Sequence, residues 1–522
     1  MVKIRLTIAI LAAIAALALA LAGCGGGGSS SSSTDPASFA APGSVVFVEG
    51  DLRPTGELKA NVNAVAKKVA GIGDLGNFIV SELESASGDE GQPTDFSTEV
   101  DPWLGKTGGV AFTHLDKDGE LSEPVIAIQT TEPKATQSLI DKQAAGSKAP
   151  YKSGSYEGID FKVGGAEGNA IGIVGEWALL AGGEKEFKSA VDAYNGDSLA
   201  DEARFQDAIS AASNGSLADV YVDVGGLIEQ SGDSIDAQAR EILQSSGIDP
   251  SEATAVASVI PGADQVQVDL SSDLGGEKAP SGDVSELLGS LPADSVAGFA
   301  ASGFGEQLEE AVDSLDESGL PPEIPPNELK STLSQAGVDL DKIAASLEEA
   351  VVFLEGSDRD SLGGALVATA KSSEAADAVA ALGTLLRGAN VPGITAVSGQ
   401  ASGFSIRSPE LGGGPIVVVG KGDKVAIGYG LAPAVRGING GSGATLSDSP
   451  SYKAAVAALG KTPISAYVDG PAAVRLAEAL VPRSKTDFWN AVPYLKKIAY
   501  VALGTGTSGE LATAKLIAGL PK

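Results

Sequence analysis

The sequence predicts an α+β protein built as two tandem, divergent copies of a mainly antiparallel sheet with packed helices. Three observations carry that prediction. One block is written twice, as NGDSLADEARFQDAISAASNGSLADVYVDV over 195–224 and as GSGATLSDSPSYKAAVAALGKTPISAYVDG over 441–470. Apolar runs follow one another across short Gly, Asp and Pro turns, the signature of hairpins. Between them lie stretches whose apolar residues recur at helical spacing.

The repeat extends outward in order. Leu199, Phe205 and Tyr221-Val222-Asp223 are answered by Leu446, Tyr452 and Tyr467-Val468-Asp469. Ala178 to Gly182 corresponds to Val425 to Tyr429, Ile126-Ala127-Ile128 to Leu366-Val367-Ala368, and Pro42 to Phe47 to Pro292 to Ala297. The copies are read as residues 39–275 and 285–522. The polar run SSDLGGEKAPSG over 271–282 supplies linker composition, and the linker is set at 276–284.

The chain begins with Lys3 and Arg5 ahead of the apolar run Leu6 to Ala22, the pattern of an export signal. That run sits near the lower length limit for spanning a bilayer, so an uncleaved helical anchor is the competing reading. Leu21, Ala22 and Gly23 before Cys24 form the lipobox that a lipoprotein signal peptidase recognises, which makes 1–23 a signal peptide and Cys24 the lipidated first residue. Two or three acyl chains, each buried methylene contributing about 0.8 kcal/mol, hold a protein stably where one does not. Residues 24–38 then form a tether, because Gly25 to Thr34 offers no side chains for a core.

In the first copy, Val45 to Val48 reads as a strand, and Leu58, Val62, Val65 and Val69 as one face of a helix ended by Gly71, Gly73 and Gly76. Gly109 to His114 and Pro124 to Thr130 flank Asp116-Lys117-Asp118-Gly119 as a hairpin. A helix over Lys134 to Ala144 leads to strands near Tyr156 to Val163 and Ala170 to Ala181. Helices from Lys185 and Asp201, a strand over Leu217 to Val224 and a closing strand near Gln265 to Leu270 complete the unit. In the second copy Phe304, Leu308, Val312 and Leu315 recur at helical spacing, and Leu320 to Pro326 reads as a stiff spacer.

Composition bounds the function. Removing 23 residues from 522 leaves 499, enough for two domains with real cores, and 43% of the residues are hydrophobic. Cys24 is the sole cysteine, which excludes an intrachain disulfide or a thiolate metal site. With 36 basic residues against 68 acidic ones, nucleic acid is excluded as a partner, since phosphate contacts need clustered Lys and Arg. The same acidity argues against a body lying flat on anionic lipid.

With the repeated block, the opening Pro-x-Ser-Val-Val strand and the turn Asp101-Pro102-Trp103-Leu104-Gly105 in view, the chain resembles the uncharacterised family of exported bacterial proteins catalogued as domain of unknown function 3352. The second copy departs from that turn, reading Ala345-Ser346-Leu347-Glu348. The resemblance implies an exported, tandem protein and supplies no chemistry.

Each catalytic string meets a simpler reading. Gly504-Thr505-Gly506-Thr507-Ser508-Gly509 matches a dinucleotide fingerprint, but the chain after it is too short for the second strand and its acidic residue, and Leu511 to Ala518 alternates like a hairpin strand. Gly196-Asp197-Ser198-Leu199 names a class of serine hydrolases, yet the only histidine is His114, upstream, and the second copy reads Gly443-Ala444-Thr445-Leu446. Asp116, Asp118 and Gly119 lack the further ligands of an EF-hand. Trp103, Trp177 and Trp489 are scattered and read as core or partly buried anchors. No catalytic, cofactor or metal site emerges.

The expectation is therefore a lipoprotein on the extracytoplasmic face of the cell membrane, held through Cys24, non-enzymatic, and binding an envelope protein. The alternative is a carrier or receptor for an apolar small molecule or lipid. A third reading is an unrecognised hydrolase using Asp, Glu, Ser or Lys.

Overall fold

The computed structural model describes residues 35–72, 95–116, 119–147, 149–165, 168–231, 252–273, 282–306, 308, 339–388, 390–407, 414–440 and 443–521. The lipobox Leu21-Ala22-Gly23-Cys24, the Gly/Ser tether, Gly73 and Gly76, Lys117-Asp118, most of the linker, Val312, Leu315 and the proline-rich Leu320 to Pro326 lie outside the described residues. By its internal contacts the chain divides into two units, Met1–Ala279 with Thr507–Ala514 and Lys522, and Pro280–Gly506 with Lys515–Pro521.

Unit 1 carries strands β1 (Val46–Asp51), β2 (Leu104–Leu115), β3 (Leu121–Thr130), β4 (Tyr151–Tyr156), β5 (Ile159–Gly164), β6 (Asn169–Val174), β7 (Trp177–Ala181), β8 (Ala218–Asp223), β9 (Thr254–Pro261) and β10 (Gln265–Asp273). They lie in the order β10-β9-β8-β1-β2-β3-β7-β6-β5-β4, every neighbouring pair antiparallel. The opening strand is thus central. Its Phe47 packs edge-on against Phe205, which in turn meets Tyr221 edge-on, so the helix Ala203–Ser210 seats on the sheet through one aromatic chain. A second cluster, with Phe161, Trp177, Leu179 and Phe187, fixes the helix Glu184–Asn195 over β3, β6 and β7.

The second set of strands is β11 (Ser295–Ser302), β12 (Leu347–Glu355), β13 (Gly363–Ala370), β14 (Ile394–Val397), β15 (Ser402–Ile406), β16 (Ile416–Lys421), β17 (Lys424–Tyr429), β18 (Ile464–Asp469), β19 (Tyr500–Ser508) and β20 (Leu511–Gly519), all in unit 2 except the end of β19 from Thr507 and the start of β20 up to Ala514, which fall in unit 1. Their order is β20-β19-β18-β11-β12-β13-β17-β16-β15-β14. Each neighbouring pair from β19 to β14 is antiparallel. The core of this unit lies on the face that carries Ala300, Val351, Phe353, Val367, Val417 and Ala426, under the helices Ser285–Gly289, Leu431–Ile438 and Pro450–Leu459.

The mainly antiparallel sheet with packed helices is as the sequence predicts, with local differences. The run 151–181 forms four strands where two were expected. Glu157 (φ 48°) and Gly158 (φ 78°) make a tight reversal between β4 and β5, and Gly175 (φ 60°) another between β6 and β7. A left-handed Glu is a sequence signal easily missed. Strand β9 was not anticipated, nor the helix Val224–Gln230, which Asp223 caps by accepting from the Gly226 N–H at 3.0 Å. Gly504 to Ser508 belongs to β19, and the reversal falls at Gly509 (φ 65°).

Candidate functional site

Ser198 uses its hydroxyl locally. Its Oγ donates to Asp201 Oδ2 at 2.7 Å in a capping box, while Leu199 beside it is fully buried. Thr445, Asp448 and buried Leu446 repeat the arrangement in unit 2. The hydrolase string is thus a helix-entry device, and the leucine kept in both blocks is the packing residue. His114 is exposed on β2, opposite Ser122. Asp116 closes its hairpin by accepting from the Glu120 N–H at 2.9 Å. Trp103 and Trp177 are buried, and Trp489 is partly so. No group of His, Cys, Asp and Glu among the described residues is arranged to hold a metal ion.

Two polar clusters stand out in the strands. Glu49 on β1 lies opposite Asp219 on β8, which lies opposite Ser258 on β9, itself opposite Asp269 on β10. One row across the sheet therefore carries three carboxylates. Asp219 accepts from Ser258 Oγ at 2.5 Å and from Ser216 Oγ at 2.7 Å, and Asp269 from Ser213 Oγ at 2.8 Å. Burial, then the charges of Asp35 and Asp219, push the Glu49 carboxyl up to about 7. In unit 2, Arg436 pairs with buried Glu355 and, at 3.0 Å, with Asp294. These groups neutralise one another at a strand end, which is structural work.

The feature that no local interaction explains is apolar. On the face of unit 2 opposite its core, Phe299, Val352, Leu366, Ile427 and Val418 form one cross-strand row over β11, β12, β13, β17 and β16. Ala297, Leu354, Gly364, Tyr429 and Ile416 form the next row on the same face. Toward one end of the strands this face is roofed, where Leu347, Ala350, Ala368 and Ala370 pack with Ala375, Ile343 and Phe304 under the helices Leu340–Ser346 and Glu374–Gly388. Beyond the roof it is open: Phe299 is 50% exposed, Ile427 47%, Val352 46%, Leu354 39% and Tyr429 37%. Leu431, just after β17, is 49% exposed.

Antiparallel sheets with one solvated face alternate apolar and polar residues. Here the solvated face repeats apolar residues on neighbouring strands, and contiguous patches of that kind mark interaction sites. In unit 1 the strand at the same place in the order, β1, keeps Val46 and Val48 buried. Sequence reasoning did not single out this patch. Its only signal was that β12 and β13, LEEAVVFLE and GGALVATA, lack polar residues on either face over their middle.

No helix among the described residues is long and apolar enough to cross a membrane. No curated protein matches the sequence. Two solved structures of TP0453 align weakly. Crystal form III shares 14% identity over 47% of this chain and 82% of that one, with a TM-score of 0.27. Crystal form I shares 15% over 48% and 82%, with a TM-score of 0.26. A sequence-family model described as Protein of unknown function (DUF3352) matches residues 81–509, most of the sequence, and the chain belongs to that family.

Proposed function

We propose that this chain is a non-enzymatic binding protein of the cell envelope, built from two copies of one α+β unit, held at the membrane through lipidated Cys24, and engaging a partner protein through the open apolar face of unit 2. The duplication is supported by the strand orders: numbering the ten strands β1 to β10 and the ten strands β11 to β20 each from its first, the two orders are the same. Matching capping boxes at Ser198 and Thr445 support it further. The anchor rests on the lipobox Leu21 to Cys24.

The single observation that carries the binding role is the exposure of Phe299, Val352, Leu354, Ile427 and Tyr429 on adjacent strands. Covering side chains that are already about half buried gains roughly half of the 1.5–3 kcal/mol that full burial of such a side chain is worth, about 1 kcal/mol each, which a partner recovers. The non-enzymatic reading is supported by the structural use of Ser198 and by the exposed strand position of His114.

The test places a photo-crosslinking residue at Phe299 and, as control, at partly exposed Lys59 of unit 1, in the full chain at its native level. The reading expects one discrete adduct from Phe299, none from Lys59, and loss of both adduct and envelope phenotype in a Phe299→Asp, Ile427→Asp variant that stays folded and anchored. A variant that keeps the phenotype overturns the surface. An intact amino terminus, or an unmodified Cys24 thiol by mass spectrometry, overturns the anchor.

A further inference from the structure

We propose that the helix pair near the end of unit 2, Gly470–Leu480 and Thr486–Leu495, is a second contact with the bilayer, seating on anionic lipid headgroups through a cationic and aromatic surface.

The charge of this segment runs against the rest of the chain. The full sequence carries −32, yet Arg475 to Lys497 holds five basic residues, Arg475, Arg483, Lys485, Lys496 and Lys497, against two acidic ones, Glu478 and Asp487. All five cations are at the surface. One of them, Lys496, is paired with Glu478 at 2.9 Å, which leaves four without an acidic neighbour inside the segment other than Asp487. In so acidic a molecule a local excess of this kind is a place where a negative surface is attracted, and each cation near such a surface contributes about 1 kcal/mol.

The aromatic groups decide which negative surface. The Arg483 guanidinium lies 3.6 Å above the centre of the Trp489 ring, Trp489 Nε1 donates to the Pro482 carbonyl at 3.1 Å, and Phe488 meets Trp489 edge-on at 5.2 Å. One helical turn on, Tyr494 is 52% exposed beside exposed Pro493, followed by Lys496 and Lys497. Val474, Leu476 and Val492 are buried and fix the pair to the unit. Rings with a polar tip, next to long cationic stems, are the set that settles at the headgroup level of a bilayer, apolar body inward and charge outward. A helix of ten residues with a proline inside is too short to span, so the geometry suits lying at the surface. An acidic protein would satisfy the cations and leave Tyr494 and Pro493 in water.

The test uses the chain's own reporter. Trp103 and Trp177 are 6% and 2% exposed, which leaves Trp489 as the tryptophan a shallow quencher reaches. The full chain, reconstituted through its anchor or, if it carries none, mixed with vesicles, is measured on phosphatidylcholine with and without about a third phosphatidylglycerol, each carrying lipids brominated near the headgroup. The expected result is a blue shift and quenching only with phosphatidylglycerol, lost in Trp489→Phe, lost in Arg483→Glu, Lys485→Glu, Lys497→Glu, and weakened at 0.5 M salt, as roughly 1 M salt shrinks the Debye length to about 3 Å. No quenching on anionic vesicles, or the same quenching on neutral ones, overturns the proposal. So does a Trp489 shift produced by polyglutamate and not by lipid, which would assign the surface to an acidic protein. Since the readout is local to Trp489, it fails independently of the anchor and of the apolar face.

Discussion

Glu49 and Asp219 face each other across β1 and β8, two carboxylates at one cross-strand position in the middle of a sheet. Like charges directly opposite are destabilising. Burial holds the Glu49 carboxyl up to about 7, against an ordinary glutamate near 4.5, with Asp35 and Asp219 adding to the effect.

That relation predicts a pH dependence with a definite sign. Between about 4.5 and 7 the unfolded chain has lost the Glu49 proton while the folded chain keeps it. The folded state binds more protons there, so stability falls as pH rises through this window and levels off above it. At about 1.4 kcal/mol per unit, the upper bound is roughly 3–4 kcal/mol. Glu49→Gln removes the carboxyl and keeps the shape. Denaturant midpoints should show the variant matching the parent near pH 4 and exceeding it at pH 8; an unchanged difference between the two pH values refutes the assignment.

The strand and helix grammar of this chain was legible because it is local. Alternation in IAI and VFV, the left-handed Gly119 (φ 78°) in the hairpin turn, and the Leu that recurs in NGDSL and GATL all act within a few residues. Leu199 and Leu446 accordingly lie in the core. What the sequence hid is what distant segments decide. The residues of the Glu49 row come from four strands between 49 and 269, and only the register brings them together. The apolar face of unit 2 was invisible for the same reason. Strands β12 and β13 carry apolar residues on both faces over their middle, and whether a side is roofed depends on helices elsewhere in the chain, such as Glu374–Gly388. Arg483 and Trp489 sit six residues apart and stack because Pro482 turns the chain, a relation no periodic pattern announces.

The open face should be separable from stability. Phe299→Ser with Ile427→Ser removes side chains that are already about half in water, so the change in unfolding free energy should stay near 1 kcal/mol per site, against 3–5 for truncating a buried aromatic. Binding of an environment-sensitive apolar dye by the folded protein should drop. Phe353→Ala, whose ring lies on the opposite face at 3% exposure, provides the contrast with a full core penalty. Equal costs for the two changes would mean that the face is covered in solution.

Arg436 should be needed by Glu355 more than the reverse. Glu355 is 5% exposed, its Oε1 is held by Arg436, and its Oε2 has no hydrogen-bond partner among the described residues. Arg436→Ala strands a buried carboxylate, an effect worth about 3–5 kcal/mol in a closed interior and less here because the arginine reaches solvent. Glu355→Leu together with Arg436→Leu removes both charges and should recover most of the loss. Urea midpoints of the single and double variants decide it, and a double variant as weak as Arg436→Ala would show that packing, not charge, was lost.

The capping boxes give the sharpest test of whether Ser198 has any chemistry. Its hydroxyl and its backbone N–H both meet Asp201 Oδ2, at 2.7 and 3.0 Å, and Thr445 does the same with Asp448 at 3.1 and 2.9 Å. If capping is the whole role, Ser198→Ala and Thr445→Ala should each cost about 1 kcal/mol, and Ser198→Asn, whose side-chain amide can donate to Asp201 as the hydroxyl does, should restore much of the first loss. A nucleophile would behave otherwise, since asparagine cannot replace a serine that forms an ester. Incubation with a fluorophosphonate should leave the parent unlabelled. Labelling of the parent that disappears in Ser198→Ala would restore the hydrolase reading and remove the non-enzymatic one.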